Sequence, residues 1–371
     1  MDNRYYWLAL SMIEGLGPIR LSKLIQYFGD PFSIWQASER ELARVHGIGG
    51  LAKGIVEQRQ RINIDKLLTR LKREEIEFIT LADESYPAIL KNIYDPPPVL
   101  FYKGNFIVGE NAVAIVGSRR STGYGRKIAE KLAYELASRG ITVISGMARG
   151  IDTHGHLGAL KAKGRTIAVL GSGLDIIYPP ENKELFYEIQ KRGMVLSEFP
   201  PGVEPVPGNF PQRNRIISGL SLGVVVIEAS SRSGSLITAG LALEQGRELF
   251  AVPGNINRPQ SRGTNDLIKK GAKMVTNIDD ILEELFFFQN PAGDRSGRRL
   301  TFPELTGEEQ ELIEILQEEG ELHINKIIEL SGKKASQVNT ILLKLELKGL
   351  VSREAGKKYS FLGLQNLLKP L

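Results

Sequence analysis

Between residues 75 and 288 the apolar positions fall in short β-branched runs, FITL, VAIVG, TVIS, TIAVLG, MVLSEF, VVVIEA, LFAVPG and KMVTN, separated by stretches of helical periodicity. That alternation predicts a parallel sheet with helices on both faces. The runs are apolar at consecutive positions, as strands covered on both sides require. FITL is expected at a sheet edge, and Pro96, Pro97 and Pro98 mark a rigid extended entry before Gly104.

The flanks follow other periods. Residues 1–71 are helical, with breaks at IEGLGPIRLSKLI and VHGIGGLAKGIV, each reading as helix, short Gly-x-Gly hairpin, helix. Such a hairpin presents backbone amides at a helix N-terminus and can hold a DNA phosphate without reading bases. A helical bundle serving protein contacts or spacing fits the same pattern. The first copy resembles the helix-hairpin-helix motif well, whereas the second carries Lys53 where a small packing residue is usual. At the other end, helices are expected at 308–317, 324–330 and 336–348, followed by VSREAGKKYSFL as a hairpin, an order that resembles a winged helix. Gln337 and Asn339 are its candidate base readers, and Lys333, Lys334, Lys357 and Lys358 its candidate phosphate contacts, although small winged domains serve protein contacts equally. QNPAGDRSGRR, before it, is polar and rich in Gly and Arg and reads as a linker. The expected architecture is α/β: a helical domain at 1–71, an extended Rossmann-like domain at 72–288, a linker at 289–300 and a winged helix at 301–371.

Composition narrows the chemistry. With 371 residues, 42% of them apolar, the chain can bury a sizeable core divided among two or three domains. A net charge of +5 is compatible with nucleic acid without requiring it. The chain has no cysteine, which excludes disulfides, iron–sulfur clusters and thiolate zinc sites. Of the histidines, His46, His154, His156 and His323, only His154 and His156 are close, and two residues apart at a helix start they face different directions. No metal is expected. The opening MDNRYYWLALSMIEG lacks the apolar run and small-residue cleavage pattern of a signal peptide, and no later stretch has membrane length, so a cytoplasmic protein without membrane insertion is expected.

Candidate binding chemistry concentrates in residues 114–160, where two apolar strands each run into a glycine-bearing loop carrying arginine. In an open parallel sheet, ligands collect beyond the carboxyl ends of the strands, where loop amides and helix N-termini present positive charge. Arg119 and Arg149 therefore stand where an anion would dock. Gly117, Gly123 and Gly125 miss the GxGxxG spacing, and the next strand ends in Ser145 and Gly146 with no acidic residue for a ribose hydroxyl, so a dinucleotide cofactor is not expected. Later strand ends add Lys183, Arg213 and Arg215, together with Phe186, Phe199 and Phe210. Lys183 and Phe186 are three apart on a predicted helix, which lets one neutralise a phosphate while the other stacks on a base. On periodicity alone Phe186 fits a helix core equally.

Catalysis finds less support. Ser145, Asp152 and His154 are the right types for a triad but lie within ten residues without a nucleophile elbow. No GxxxxGK[ST] phosphate loop occurs. Asp152, Asp175, Glu198 and Glu228 are expected to cap helices or hold the arginines.

Taken in order, GSRRSTGYGR, SGMARGIDTHGH, AVLGSGLDIIYPPENKELF, SEFPPG, FPQRNRIISGLS, SGSLITAGLALEQGR, AVPGN and SRGTNDLIKKGA resemble the DNA-processing DprA family, also called Smf. The resemblance extends back through DESYPAIL and DPPPVLFYKGN and includes a helical, SAM-like N-terminal domain and a winged helix. It implies a non-enzymatic recombination mediator, without cofactor, that binds and protects single-stranded DNA and loads RecA recombinase onto it during natural transformation. Single-strand-binding protein is a further expected partner, and homodimers form through the Rossmann-like domain. By motif match the resemblance implies Arg119, Lys183 and Phe186 as DNA-pocket residues, lined by Gly117, Ser118 and Gly171. Arg149, Arg213 and Arg215 join them from the charge argument above. An enzyme reading rests on SGSLITAGLALE, which looks distantly like the PGGxGTxxE loop of nucleotide phosphoribohydrolases. The segment departs from it at Ile237, Thr238 and Glu244.

Overall fold

The computed structural model describes residues 3–287, 306–320, 322–347, 351–354 and 358–361. They form two units, 1–291 and 292–371.

The first unit opens with six helices, α1 (Asn3–Ser11), α2 (Pro18–Phe28), α3 (Pro31–Gln36), α4 (Glu39–Leu42), α5 (Ala52–Arg59) and α6 (Ile64–Arg73). Their starts follow local chemistry. Proline begins α2 and α3, Asp30 accepts from the Ser33 amide, Ser38 and Glu41 form a capping box, and Asn63 accepts from the Lys66 amide. Both expected hairpins form, turning on Gly15 at φ +83° and Gly47 at φ +85°. The first rests on α5, where the Gln58 side chain accepts from the Glu14 amide at 2.9 Å. Leu16 and Ile48, at the hairpin tips, point into the core. Trp7, Leu24 and Leu67 share one apolar cluster with Phe101, Leu170 and Val195 of the sheet domain, so these helices pack directly on the sheet.

The sheet itself contains β1 (Glu77–Thr80), β2 (Val99–Gly104), β3 (Ala112–Val116), β4 (Thr142–Ser145), β5 (Thr166–Val169), β6 (Met194–Ser197), β7 (Gly223–Val226), β8 (Glu248–Ala251) and β9 (Lys273–Met274). The connecting helices are α7 (Ala88–Lys91), α8 (Gly123–Ser138), α9 (Ile151–Lys161), α10 (Lys183–Arg192), α11 (Asn209–Gly219), α12 (Ser235–Glu244), α13 (Pro259–Lys269) and α14 (Asp279–Phe287). Strand order is β1-β2-β6-β5-β4-β3-β7-β8-β9. Strands β3 to β9 run parallel, as the alternation predicts, but β2 lies antiparallel to β6, and β1 antiparallel to β2. The stretch before Gly104, expected only as an extended entry, is thus a strand. Pairing begins at Val99, the first position after three prolines that has an amide to donate. FITL occupies the edge, as expected.

The chain order reverses between β3 and β7, the geometry that opens a crevice beyond the carboxyl ends of the strands. Every residue of β3 is buried, and Ile115 and Val225 pack with Leu132 and Leu136 of α8.

The second unit contains α15 (Gly307–Glu319), β10 (Leu322–His323), α16 (Ile324–Ser331), α17 (Ala335–Leu347), β11 (Val351–Glu354) and β12 (Lys358–Phe361), with an antiparallel sheet in the order β10-β12-β11. This is a winged helix. Leu312, Ile327, Val338, Leu342 and Tyr359 fill its core. Asn339 donates to the Ala335 carbonyl at 2.8 Å and Lys333 pairs with Glu311 at 2.9 Å, so two candidate DNA contacts are engaged within the unit. Lys357 and the expected linker 289–300 lie outside the described residues. No helix among the described residues is long and apolar enough to cross a membrane.

One buried group gives the sheet a pH signature. His156 of α9 lies 2.7 Å by Nδ1 from Thr166 Oγ1, whose own proton goes to the Val143 carbonyl, so Nδ1 is the donor and Nε2 is left without a partner. Burial pushes its pKa from the ordinary 6.5 down to about 3. The unfolded chain therefore binds this proton first, and the stability it contributes is lost as pH falls below about 6.5. Urea unfolding of wild type and His156→Leu at several pH values should show the difference moving against wild type by about 1 kcal/mol per unit below pH 6. A difference independent of pH would contradict this assignment.

Candidate nucleic-acid interface

At the switch point, the loop after β3 is held by backbone and by one carboxylate. Ser118 donates its amide to the Glu228 carbonyl at 2.8 Å, while the Glu228 carboxylate accepts from the Thr122 amide at 2.8 Å and hydroxyl at 2.5 Å. Thr122 in turn caps α8. Glycine is required on both sides of this knot. A Cβ at Gly125 would stand 2.4 Å from the Glu228 carboxylate, and one at Gly150, which has φ +80°, would stand 2.4 Å from the Ser118 carbonyl. The loops after β3 and β4 therefore touch backbone to backbone.

The cleft they border has a volume of about 700 Å³, in the range of sites that enclose a small ligand. Gly117, Ser118 and Arg119 form one wall. The exposed Arg119 guanidinium lies 5.0 Å above the ring of Phe210, the second residue of α11. Phe210 packs 5.7 Å from Tyr178, and a Cβ at Gly171 would come within 2.9 Å of the Phe210 ring. Arg149 reaches over Tyr178 at 6.0 Å while pairing with Glu181. Two aromatic rings flanked by two arginines thus form a platform at the mouth of the cleft.

Beneath the platform Arg213 is 3% exposed and donates to the carbonyls of Gly146 and Val169. Asp152 faces it across Gly146, accepting from the amides of Gly146 at 3.1 Å and Ala148 at 3.3 Å. Burial pushes the Asp152 carboxyl up to about 6, opposed by Arg213, and brings the Arg213 guanidinium down to about 10, opposed by Asp152.

Four sequence expectations change here. Phe186 is 1% exposed and packs with Ile189 and Val195, so it cannot stack on a base. The apolar positions of α10, Leu185, Phe186 and Ile189, face the sheet and fix this orientation. Lys183 is exposed at the start of α10 but does not border the cleft, and Phe186, one turn along, is turned into the core instead of standing beside it in solvent. Arg215 is buried between Asp95 at 2.9 Å and Glu198 at 2.6 Å, outside the cleft wall. Arg213 borders the cleft, but two of its bonds go to backbone, which makes it a strut. Asp175 and Glu198 hold Arg70 and Arg215 and Glu228 holds the α8 cap, as expected of structural carboxylates. Phe210 and Tyr178 are the aromatic residues at the site. Their sequence signal is FPQRN and IYPPEN, each in the glycine- and proline-bearing loop that leads from a strand end to the next helix.

A doubly wound sheet with cations and aromatic rings at its switch point, in one chain with a winged helix, defines a nucleic-acid-handling protein of the Rossmann-like class. The family model described as DNA recombination-mediator protein A matches residues 77–286, and the DprA winged helix domain matches 300–357. The chain belongs to this DprA/Smf family. It is 36% identical to Protein Smf of Synechocystis over 95% of this chain and 98% of that protein. The crystal structure of DNA processing protein A from Streptococcus pneumoniae superposes with a TM-score of 0.68 at 39% identity, covering 76% of this chain and 98% of that one. A structure of the Helicobacter pylori protein, described for its single-stranded DNA binding mode, superposes with a TM-score of 0.52 at 33% identity over 58% of this chain and 97% of that one.

The division between structural and exposed arginines is measurable. Arg215→Ala strands Glu198 in the interior and should lower unfolding free energy by about 3 to 5 kcal/mol, whereas Arg119→Ala should change it by less than about 0.5 kcal/mol. Chemical denaturation of the two variants decides. Equal losses would contradict the assignment.

Proposed function

We propose that this protein is a cytoplasmic, non-enzymatic recombination mediator that binds single-stranded DNA in the switch-point cleft, protects it and offers it to RecA during natural transformation. The observation that carries this reading is Arg119. Its guanidinium makes no ion pair or hydrogen bond among the described residues and lies over Phe210 at the cleft mouth, whereas Arg149, Arg213 and Arg215 are engaged with protein groups. A strand entering there meets a free cation for its phosphate and a ring for its base, which gives affinity with little sequence preference. The description of the Helicobacter pylori relative as a single-stranded DNA binder supports the same assignment.

The absence of a chemical step is part of the proposal. Ser145 donates to the Ile115 carbonyl, Asp152 is held by two amides and His154 faces Glu130 at 3.4 Å, so the three candidate triad residues serve separate contacts. The protein is proposed to act as a homodimer, with DNA coated by single-strand-binding protein as its working substrate.

Titrating labelled oligothymidylate over a salt series separates the contributions. Arg119→Ala should reduce the logarithmic salt slope by about 0.7, the value for one single-strand phosphate contact. Phe210→Ala should weaken binding by about 1 to 3 kcal/mol with the slope nearly unchanged, because stacking releases no counterion. Wild-type affinity in both variants would overturn the cleft assignment. In strand exchange on DNA precoated with single-strand-binding protein, wild type should restore RecA activity and the double variant should not. Equal stimulation would contradict a role for DNA capture by this cleft.

A further inference from the structure

The far end of the cleft has a different chemistry from its mouth. It is bordered by Ser230 and Ser233, just before α12, and by Ser235 and Thr238 in its first turn. Helix α12 runs for ten residues, has no side-chain cap at Gly234 and no acidic residue in its first turn, so its positive end is left uncompensated. Ser233 and Ser235 are joined by one hydroxyl–hydroxyl bond of 2.8 Å. Two hydroxyls carry two protons, and a single mutual bond leaves one for an outside acceptor. Thr238 supplies a second, independent sign. It is 98% buried by its 2% exposure, borders the cleft, and its hydroxyl makes no hydrogen bond among the described residues. The oxygen is not among the buried polar atoms left without a partner, so the little of Thr238 that stays accessible includes its hydroxyl, which opens onto the cleft and is free to bond what enters there.

We propose that this end is a second phosphate subsite, in which the Thr238 hydroxyl, the spare Ser233/Ser235 proton and the α12 N-terminus hold the phosphodiester next to the one at Arg119. The inference rests on the reading that the cleft binds single-stranded DNA, and it adds a path: the strand passes from the aromatic platform inward to α12. Neutral donors hold the inner phosphate, so its contribution to affinity persists at salt concentrations that weaken the Arg119 contact.

Full-length Thr238→Val, Thr238→Ser and Arg119→Ala variants, titrated with labelled oligothymidylate and melted without DNA, test the subsite. Thr238→Val should weaken binding about 5- to 10-fold with an unchanged salt slope, and Thr238→Ser should restore it to within about 3-fold of wild type. Without DNA, Thr238→Val should melt close to the wild-type temperature, since the hydroxyl bonds no protein group among the described residues and the side chains are of similar size. Weakened binding by Arg119→Ala alone overturns the subsite and leaves the cleft reading standing. Wild-type affinity in all three variants overturns both. Equal weakening by Val and Ser with lowered melting temperatures assigns Thr238 a packing role and overturns the subsite.

Discussion

Arg213 reaches the strand ends from α11 and, shut away from water, bonds the carbonyls of Gly146 and Val169, the ends of two neighbouring strands, with Asp152 opposite across a residue that has no side chain. A buried guanidinium is tolerated only where carbonyls and a carboxylate replace its hydration. Gly146 makes this possible, because a Cβ there would stand 2.7 Å from Arg213 and 2.8 Å from Asp152. The strut fixes α11 against β4 and β5 and so sets where Phe210 stands. Phe210 in turn places its ring under Arg119 and beside Tyr178. A rigid buried ion couple therefore positions a soft, exposed binding surface, which keeps the free cation of the cleft outside the stability balance of the core.

The same economy of placement separates the arginines. Arg215, two residues along α11, is closed by Asp95 and Glu198 and ties the loop before β2 and the end of β6 to the helix. Glu228 gathers the loop after β3 and the start of α8 into one knot. With those carboxylates committed to structure, Arg119 and Arg120 are left facing the cleft without ion pairs among the described residues. Charge that is not used internally is what an anionic strand can neutralise.

Much of this was legible in the chain. Parallel strands announced themselves because both of their faces are covered, which demands unbroken apolar runs such as AVAIV and GVVV. The glycine-and-arginine loops located the cleft because strand ends in such sheets always meet there. Strand β2 escaped because three prolines precede it. The fates of Phe186, Arg213 and Arg215 depended on partners far away in sequence. Asp95 is 120 residues from Arg215, and Gly146 is 67 from Arg213. Spacing along a helix says that Lys183 and Phe186 are near each other, but only the packing of α10 on the sheet decides which of them meets solvent.

The central claim is that single-stranded DNA enters the switch-point cleft, and amide hydrogen exchange with and without oligothymidylate tests it most directly. The account predicts that protection appears at residues 117–122, 209–213 and 233–238, with the helical hairpins around Gly15 and Gly47 unaffected. Protection confined to those hairpins or to the winged helix, with the cleft loops exchanging as in the free protein, would contradict it.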